Sequence, residues 1–411
     1  MIKPKAVLAV IGLATVSLAA LASTQGAGPA PIQELDDGRQ WLEGSMALTP
    51  TSPPLMRAAA ASAFNETAAA EALLRSVIRS HPRSDTAGHA HELLSRIYLR
   101  SGRYKRLIDN LDAWARGLPA REEVQRERKD IEQFRGLPNQ VNGPRRPSTL
   151  RHGGDIVVPV SVNGKPARYF FDTGAWVSAM SPAEAVRVGL DTRGGSGALS
   201  DSSGRGLRIR MGVAKELTLG SMRFRDVSFA VLPDQERSAG SPPESVGILG
   251  MPILLGAGVI RWSKDGTVEF GGPGDALDDD SRNLAFYRNR LVLRTSVLAR
   301  PVFVTLDTGA VTTDLNANFA AEFAELIART GTRDTQSITG VGGTTTVDAI
   351  RLPEVVFQIG TASAALRPAI VTEQRTGPLG GECCVANVGL DLLMQGRGFT
   401  IDFSRMTLRL D

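Results

Sequence analysis

Asp172-Thr173-Gly174-Ala175 and Asp307-Thr308-Gly309-Ala310 decide how this chain is read. Each tetrapeptide closes a run of β-type sequence. Before the first, Ile156-Val157-Val158-Pro159-Val160-Ser161-Val162 alternates up to a turn at Asn163-Gly164-Lys165-Pro166, and Tyr169-Phe170-Phe171 returns, so a hairpin is expected. Before the second, Leu291-Val292-Leu293-Arg294-Thr295-Ser296-Val297 leads through Pro301 and Val304-Thr305-Leu306 to the same text. The pairs Ser161/Ser296, Val162/Val297 and Pro166/Pro301 keep the spacing without a gap. Downstream, Ile248-Leu249-Gly250-Met251 with Ile253-Leu254 matches Asn387-Val388-Gly389-Leu390 with Leu392-Leu393. A pair of short apolar runs follows each: Val259-Ile260-Arg261-Trp262 and Val268-Glu269-Phe270, then Phe399 to Phe403 and Leu408-Arg409-Leu410. The spacing predicts two all-β units, at 150–272 and 283–411, joined by an acidic Gly-Pro-rich linker from Gly271 to Arg282.

Composition removes most other chemistries. The chain has 411 residues, enough for two or three domains, but only four histidines, at 81, 89, 91 and 152, and two adjacent cysteines, Cys383 and Cys384. Beyond residue 152 there is no histidine. A Ser-His-Asp or Cys-His catalyst and a His-ligated zinc site are therefore excluded from the chain beyond that point, and no cofactor or metal is called for. The net charge of +4 is small for this length and aromatics make up 5%, which argues against nucleic-acid binding.

One Asp-Thr-Gly is weak evidence, because an ordinary turn closing a hairpin can carry it. Two at equivalent points of a repeat can face each other across a pseudo-two-fold axis. Two carboxylates held that close share one proton. The charged member can take a proton from a water held between them, and the protonated member can donate to a peptide carbonyl. Asp172 and Asp307 are the expected catalytic pair. Thr173 and Thr308 supply hydroxyls that can bond across the axis, and Gly174 and Gly309 allow close backbone approach.

On these motifs each unit resembles the retropepsin-like (retroviral-type) aspartic proteases, especially the bacterial ones, over essentially all of 150–411. The resemblance implies a mainly β, bilobal pepsin-like or retropepsin-like fold in one chain, with the two aspartates as the dyad and the apolar-apolar-Gly segments crossing behind it. It also implies flaps that close over an extended peptide substrate. Thr339-Gly340-Val341-Gly342-Gly343-Thr344 fits a flap tip in the second unit, and Ser202-Ser203-Gly204-Arg205-Gly206 stands at the matching place in the first. Trp176 departs from the small hydroxyl residue usual there. Ala175 and Ala310 replace the serine of pepsin-type enzymes and cannot donate to a carboxylate, so a milder pH optimum is expected. Cys383 and Cys384 are read as two thiols, with a vicinal disulfide as the alternative.

Lys3 and Lys5 precede an apolar run from Ala6 to Ala22 that ends Ala20-Leu21-Ala22, so residues 1–22 read as a secretory signal peptide, with an uncleaved anchor as the alternative. Residues 23–54 have a Pro/Gly-rich linker composition. Residues 55–135 show helical periodicity with breaks at His81-Pro82, Gly102 and Gly117-Leu118-Pro119, resembling about two tetratricopeptide-like units. That stretch is either a partner-docking or self-association module or a pro-segment or spacer packed on the next domain, and its histidines are read as solvated. The resulting expectation is an exported, periplasmic or secreted endopeptidase, without a membrane span once the signal is cleaved, that processes specific envelope or periplasmic proteins. The alternative is an inactive peptide-binding adaptor that docks partners through its helices.

Overall fold

The computed structural model describes residues 37–44, 48–118, 122–152, 157–192, 196–200, 206–232, 247–274, 282–340, 343–372 and 383–411. The signal-peptide reading of residues 1–22 falls outside them. The fold is mainly β, with helices concentrated before residue 135.

Val157–Val162 and Lys165–Phe171 form the first hairpin, paired from Val157↔Phe170 to Val162↔Lys165. Its turn is only Asn163 (φ 50°) and Gly164 (φ 77°), both left-handed, as a two-residue type I′ turn demands. Lys165 and Pro166, expected in the turn, therefore open the return strand. Arg290–Val297 and Arg300–Leu306 repeat this hairpin. There Leu298 (φ 51°) and Ala299 (φ 63°) occupy the turn, and neither residue favours that region. The flanking strands hold the geometry against local preference.

Each return strand ends at an Asp-Thr-Gly and pairs in parallel with a short buried strand, Gly247–Leu249 in the first half and Ala386–Val388 in the second. The strand after each loop, Ser178–Met180 or Asp314–Leu315, crosses the same partner antiparallel, with Ala179 opposite Ile248 and Asp314 opposite Asn387. An eight-stranded and a ten-stranded sheet are built around these centres.

The strand pairs at the end of each repeat do not stay in their own half. Val259–Ser263 lies against Gly398–Asp402, from Val259↔Asp402 to Ser263↔Gly398, and the two hairpins merge into one five-stranded sheet. Ser148–Arg151 adds an edge strand beside Thr267–Phe270, and Val141–Asn142 pairs with Phe224 and Arg225. The first half thus draws strands from before residue 150. The shared sheet fixes the halves relative to each other, which is what sets two loops from distant sequence face to face.

Helices Pro54–Ala63, Thr67–Ser80, Asp85–Arg100, Tyr104–Gly117 and Glu122–Ile131 precede the sheets. A further helical turn, Gly38–Leu42, lies within the stretch read as linker and buries Trp41 and Leu42. The helical layer is packed onto both halves. Buried Arg100 donates to the Ser62 carbonyl at 2.6 Å and lies over the Phe286 ring, 4.3 Å from its centre. Asn65 Nδ2 donates to the Phe403 carbonyl at 2.9 Å, and Gln140 Nε2 to that of Pro252 at 3.0 Å. His91, expected at the surface, is buried instead: its Nδ1 lies 2.8 Å from Asn110 Oδ1 and its ring stacks on Trp114. Burial lowers its pKa, which favours the neutral ring.

Candidate active site

The two Asp-Thr-Gly loops interlock. Thr173 N–H donates to Thr308 Oγ1 at 3.1 Å, and Thr308 N–H donates to Thr173 Oγ1 at 3.0 Å. Each hydroxyl then donates across the axis, Thr173 to the Leu306 carbonyl (2.9 Å) and Thr308 to that of Phe171 (2.7 Å). These four bonds span 133 to 137 residues of sequence, and all are buried. Each loop is also tied to the segment behind it. Asp172 N–H donates to the Leu249 carbonyl (3.1 Å) and Asp307 N–H to that of Val388 (3.0 Å). Gly250 N–H donates to Ser178 Oγ and Gly389 N–H to Thr313 Oγ1.

The glycines set how close the loops come. A Cβ on Gly174 would lie 2.7 Å from Asp307 Oδ1, and one on Gly309 would lie 2.6 Å from Asp172 Cγ. Any side chain there would collide with the opposite carboxyl, so these positions accept only glycine. Asp172 and Asp307 thereby face each other, at 0% and 6% exposure, close enough for each to shift the other's proton affinity.

Their surroundings differ. Asp172 Oδ1 accepts from the N–H groups of Gly174 (2.8 Å) and Ala175 (3.1 Å), while its Oδ2 is buried without a partner among the described residues. Asp307 Oδ1 accepts from Gly309 N–H (2.9 Å), and its Oδ2 accepts from Asn387 Nδ2 at 3.1 Å. Thr305 Oγ1 donates to Asn387 Oδ1 at 2.7 Å, which turns the amide so that its NH₂ faces the aspartate. Burial, and then the Asp307 charge, pushes the Asp172 carboxyl well above the usual carboxylate range. Burial raises Asp307 too, but Asn387, Asp172 and the loop N–H groups counter it by bonding to the charged form. Both carboxyls are thus raised, Asp172 the further, and the two titrate as a pair.

Asn387 belongs to the second crossing segment and is not among the expected site residues. Its signal was a polar residue where the first unit has Ile248. It supplies a side-chain donor to the dyad that Ala175 and Ala310 cannot. Asp314 was missed as well. It is half-buried beside Asn387, and burial together with the Asp391 and Asp307 carboxylates pushes its own carboxyl up to about 6.

Of the residues expected in flaps, Gly340 and Gly343 form the last rung of a hairpin made by Thr332–Gly340 and Gly343–Leu352. Val341 and Gly342 lie outside the described residues, as do Gly204 and Arg205 of the first-half hairpin, Ser196–Ser200 with Gly206–Leu219. Trp176 packs edge-on against Phe134 of the turn Glu132–Phe134, with ring centres 5.6 Å apart, and Phe134 stacks in turn on Tyr104. Gln133 presses on Gly197 of the first-half hairpin, where a Cβ would meet its side chain. Cys383 and Cys384, expected as thiols, are joined in a disulfide with an S–S distance of 2.00 Å. They line a cavity of about 350 Å³ with Arg39, Glu43, Phe303 and Asn318, and neither aspartate borders it. Among the described residues no helix is long and apolar enough to cross a membrane.

Residues 158–253 match the family model described as aspartyl protease. The matched stretch runs from the first hairpin through Asp172 to the helix that follows Gly250. Among solved structures the chain is similar to a retropepsin-like aspartic protease from Rickettsia conorii, at 18% identity over 32% of this chain and 91% of that chain, with a TM-score of 0.22. No curated protein matches.

Proposed function

We infer that the chain is an aspartic endopeptidase whose dyad is Asp172 and Asp307. One observation carries the reading: two carboxyls from separate repeats meet inside the fold, each against the glycine of the opposite loop. An extended peptide would lie across the loops and bond to them in the manner of an added strand. Ionised Asp307 takes a proton from a water molecule as its oxygen attacks the scissile carbonyl carbon. Asp172 donates its proton to the carbonyl oxygen, giving a neutral gem-diol. Collapse returns one hydroxyl proton to Asp172, and Asp307 passes its proton to the departing nitrogen. The dyad ends in its starting state, and the crossed threonine bonds keep both carboxyls in place throughout.

The run at residues 1–22 supports export to the periplasm or beyond, with processing of specific envelope proteins as the role. The contacts of the helical layer with both β halves support a permanent module over a discarded pro-segment, and leave its remaining surface for a protein partner. The test is a peptide-library digest by the full-length protein beside Asp172→Asn and Asp307→Asn. Cleavage by the unaltered protein alone is expected. If all three cut alike, or none cuts at any pH, the reading fails.

A further inference from the structure

The repeats place equivalent residues on the two walls beside the dyad, and the two walls have opposite chemistry. In the first half, Ala179 lies opposite Ile248 in the central antiparallel pair, and both are buried. They belong to the apolar cluster shared with the helical layer, in which Phe134 packs against Trp176. In the second half the same two positions are Asp314 and Asn387. Directly opposed residues of an antiparallel pair project from the same face. Asn387 reaches Asp307 Oδ2, so this is the face that carries the reacting carboxyls. The neighbours of Asp314 confirm the alternation: Thr313 turns away to bond Asp391 and Gly389 N–H, and Leu315 enters the core.

Among the described residues the Asp314 carboxyl has no hydrogen bond or ion pair. Its charged neighbours are the carboxylates Asp391 and Asp307. A half-buried carboxyl beside like charges is unfavourable on its own, and a cation is what would satisfy it. The first-half wall, closed by apolar packing, offers nothing comparable. Val311 and Thr312, next to Asp314 on the loop, are half-buried and exposed, whereas the matching Trp176 and Val177 are buried.

We propose that Asp314 selects a basic side chain, lysine or arginine, in the peptide bound against the second-half wall of the cleft. The substrate would be an extended peptide with a cationic residue close to the scissile bond, read on one side only. This rests on the protease reading above and adds the substrate class to it.

The experiment uses the full-length protein and two readouts. A position-scanning peptide library should show lysine and arginine preferred over norleucine by about tenfold at one position near the cut. Asp314→Ala, which installs the first-half residue, and the isosteric Asp314→Asn should bring that ratio close to one. In parallel, Asp172→Asn protein is titrated with a lysine peptide and its norleucine twin, so that preference is read without turnover. There the lysine peptide should bind about tenfold tighter, and the added Asp314→Asn should erase the difference. Cleavage without a basic preference, or a preference that survives both substitutions, overturns the proposal and leaves the protease reading standing. If the unaltered protein cuts nothing, the protease reading fails, and the binding ratio still decides the proposal. Equal binding, or no binding of either peptide, overturns it.

Discussion

The two halves of the β region share a skeleton and differ in what covers it. Both have a type I′ hairpin, an Asp-Thr-Gly loop, a crossing segment ending in glycine, and a threonine locked into the opposite half. These are the parts that must be duplicated, because each bond across the axis needs its mirror image. Away from the axis the halves diverge. The first surrounds its aspartate with Trp176, Ala179 and Ile248 and takes Phe134 of the helical layer against them. The second places Asn387 and Asp314 at the corresponding points. Duplication thus builds the pair of carboxyls, and divergence gives them different surroundings, with Asp172 raised further than Asp307.

The shared part should break first and hardest. Thr173→Val and Thr308→Val each remove an acceptor for the opposite N–H and a donor to a buried carbonyl. Each should cost about 3–5 kcal/mol in denaturant unfolding, with similar values in the two halves. A large difference between them would mean that the axis is not the common support described here. Phe134→Ala probes the covering of the first half. Loss of a fully buried ring should cost about 3 kcal/mol and lower a single unfolding transition, with the helices and the first sheet melting together. Two separated transitions would show a helical layer that stands apart from the sheet.

Asn387→Ile makes the second half resemble the first. The amide favours charged Asp307, so its removal raises the pKa of that carboxyl. The acid limb of the pH–rate profile should move to higher pH, with about a tenfold loss of rate on that limb. An unmoved limb would take Asn387 out of the account. The smallest effect is expected from Asp314→Asn on stability. The Asp314 carboxyl holds its proton up to about 6 in the folded protein, against 3.8 as its ordinary value. The folded state therefore binds more protons between these values, and stability falls as pH rises from about 4 to about 6. The asparagine should remove this slope, measured by paired melts at pH 4.5 and 7.

Much of this was legible in the chain. The repeat announced the hairpins, the paired loops and the crossing segments because strand alternation and turn residues are local signals. The joint sheet was not legible. Val259–Ser263 and Gly398–Asp402 each read as the end of its own unit, and nothing local says that they pair with each other. His91 and the helical turn at Trp41 were misplaced for the same reason: burial against a distant surface leaves little trace in composition. Asp314 and Asn387 stood in plain view, but their meaning depends on strand register. A shift of one residue would have turned both away from the dyad. The turn at Leu298–Ala299 is the reverse case, with tertiary structure imposing a conformation that its residues do not favour.

The most direct test of the asymmetric pair is a ¹³C NMR titration of aspartate carboxyls in the full-length protein, with the two signals assigned through Asp172→Asn and Asp307→Asn. Two well-separated apparent steps are predicted, with the higher arising mainly from Asp172 and with Asp307 charged between them. Both carboxyls titrating together in the ordinary carboxylate range would contradict the account.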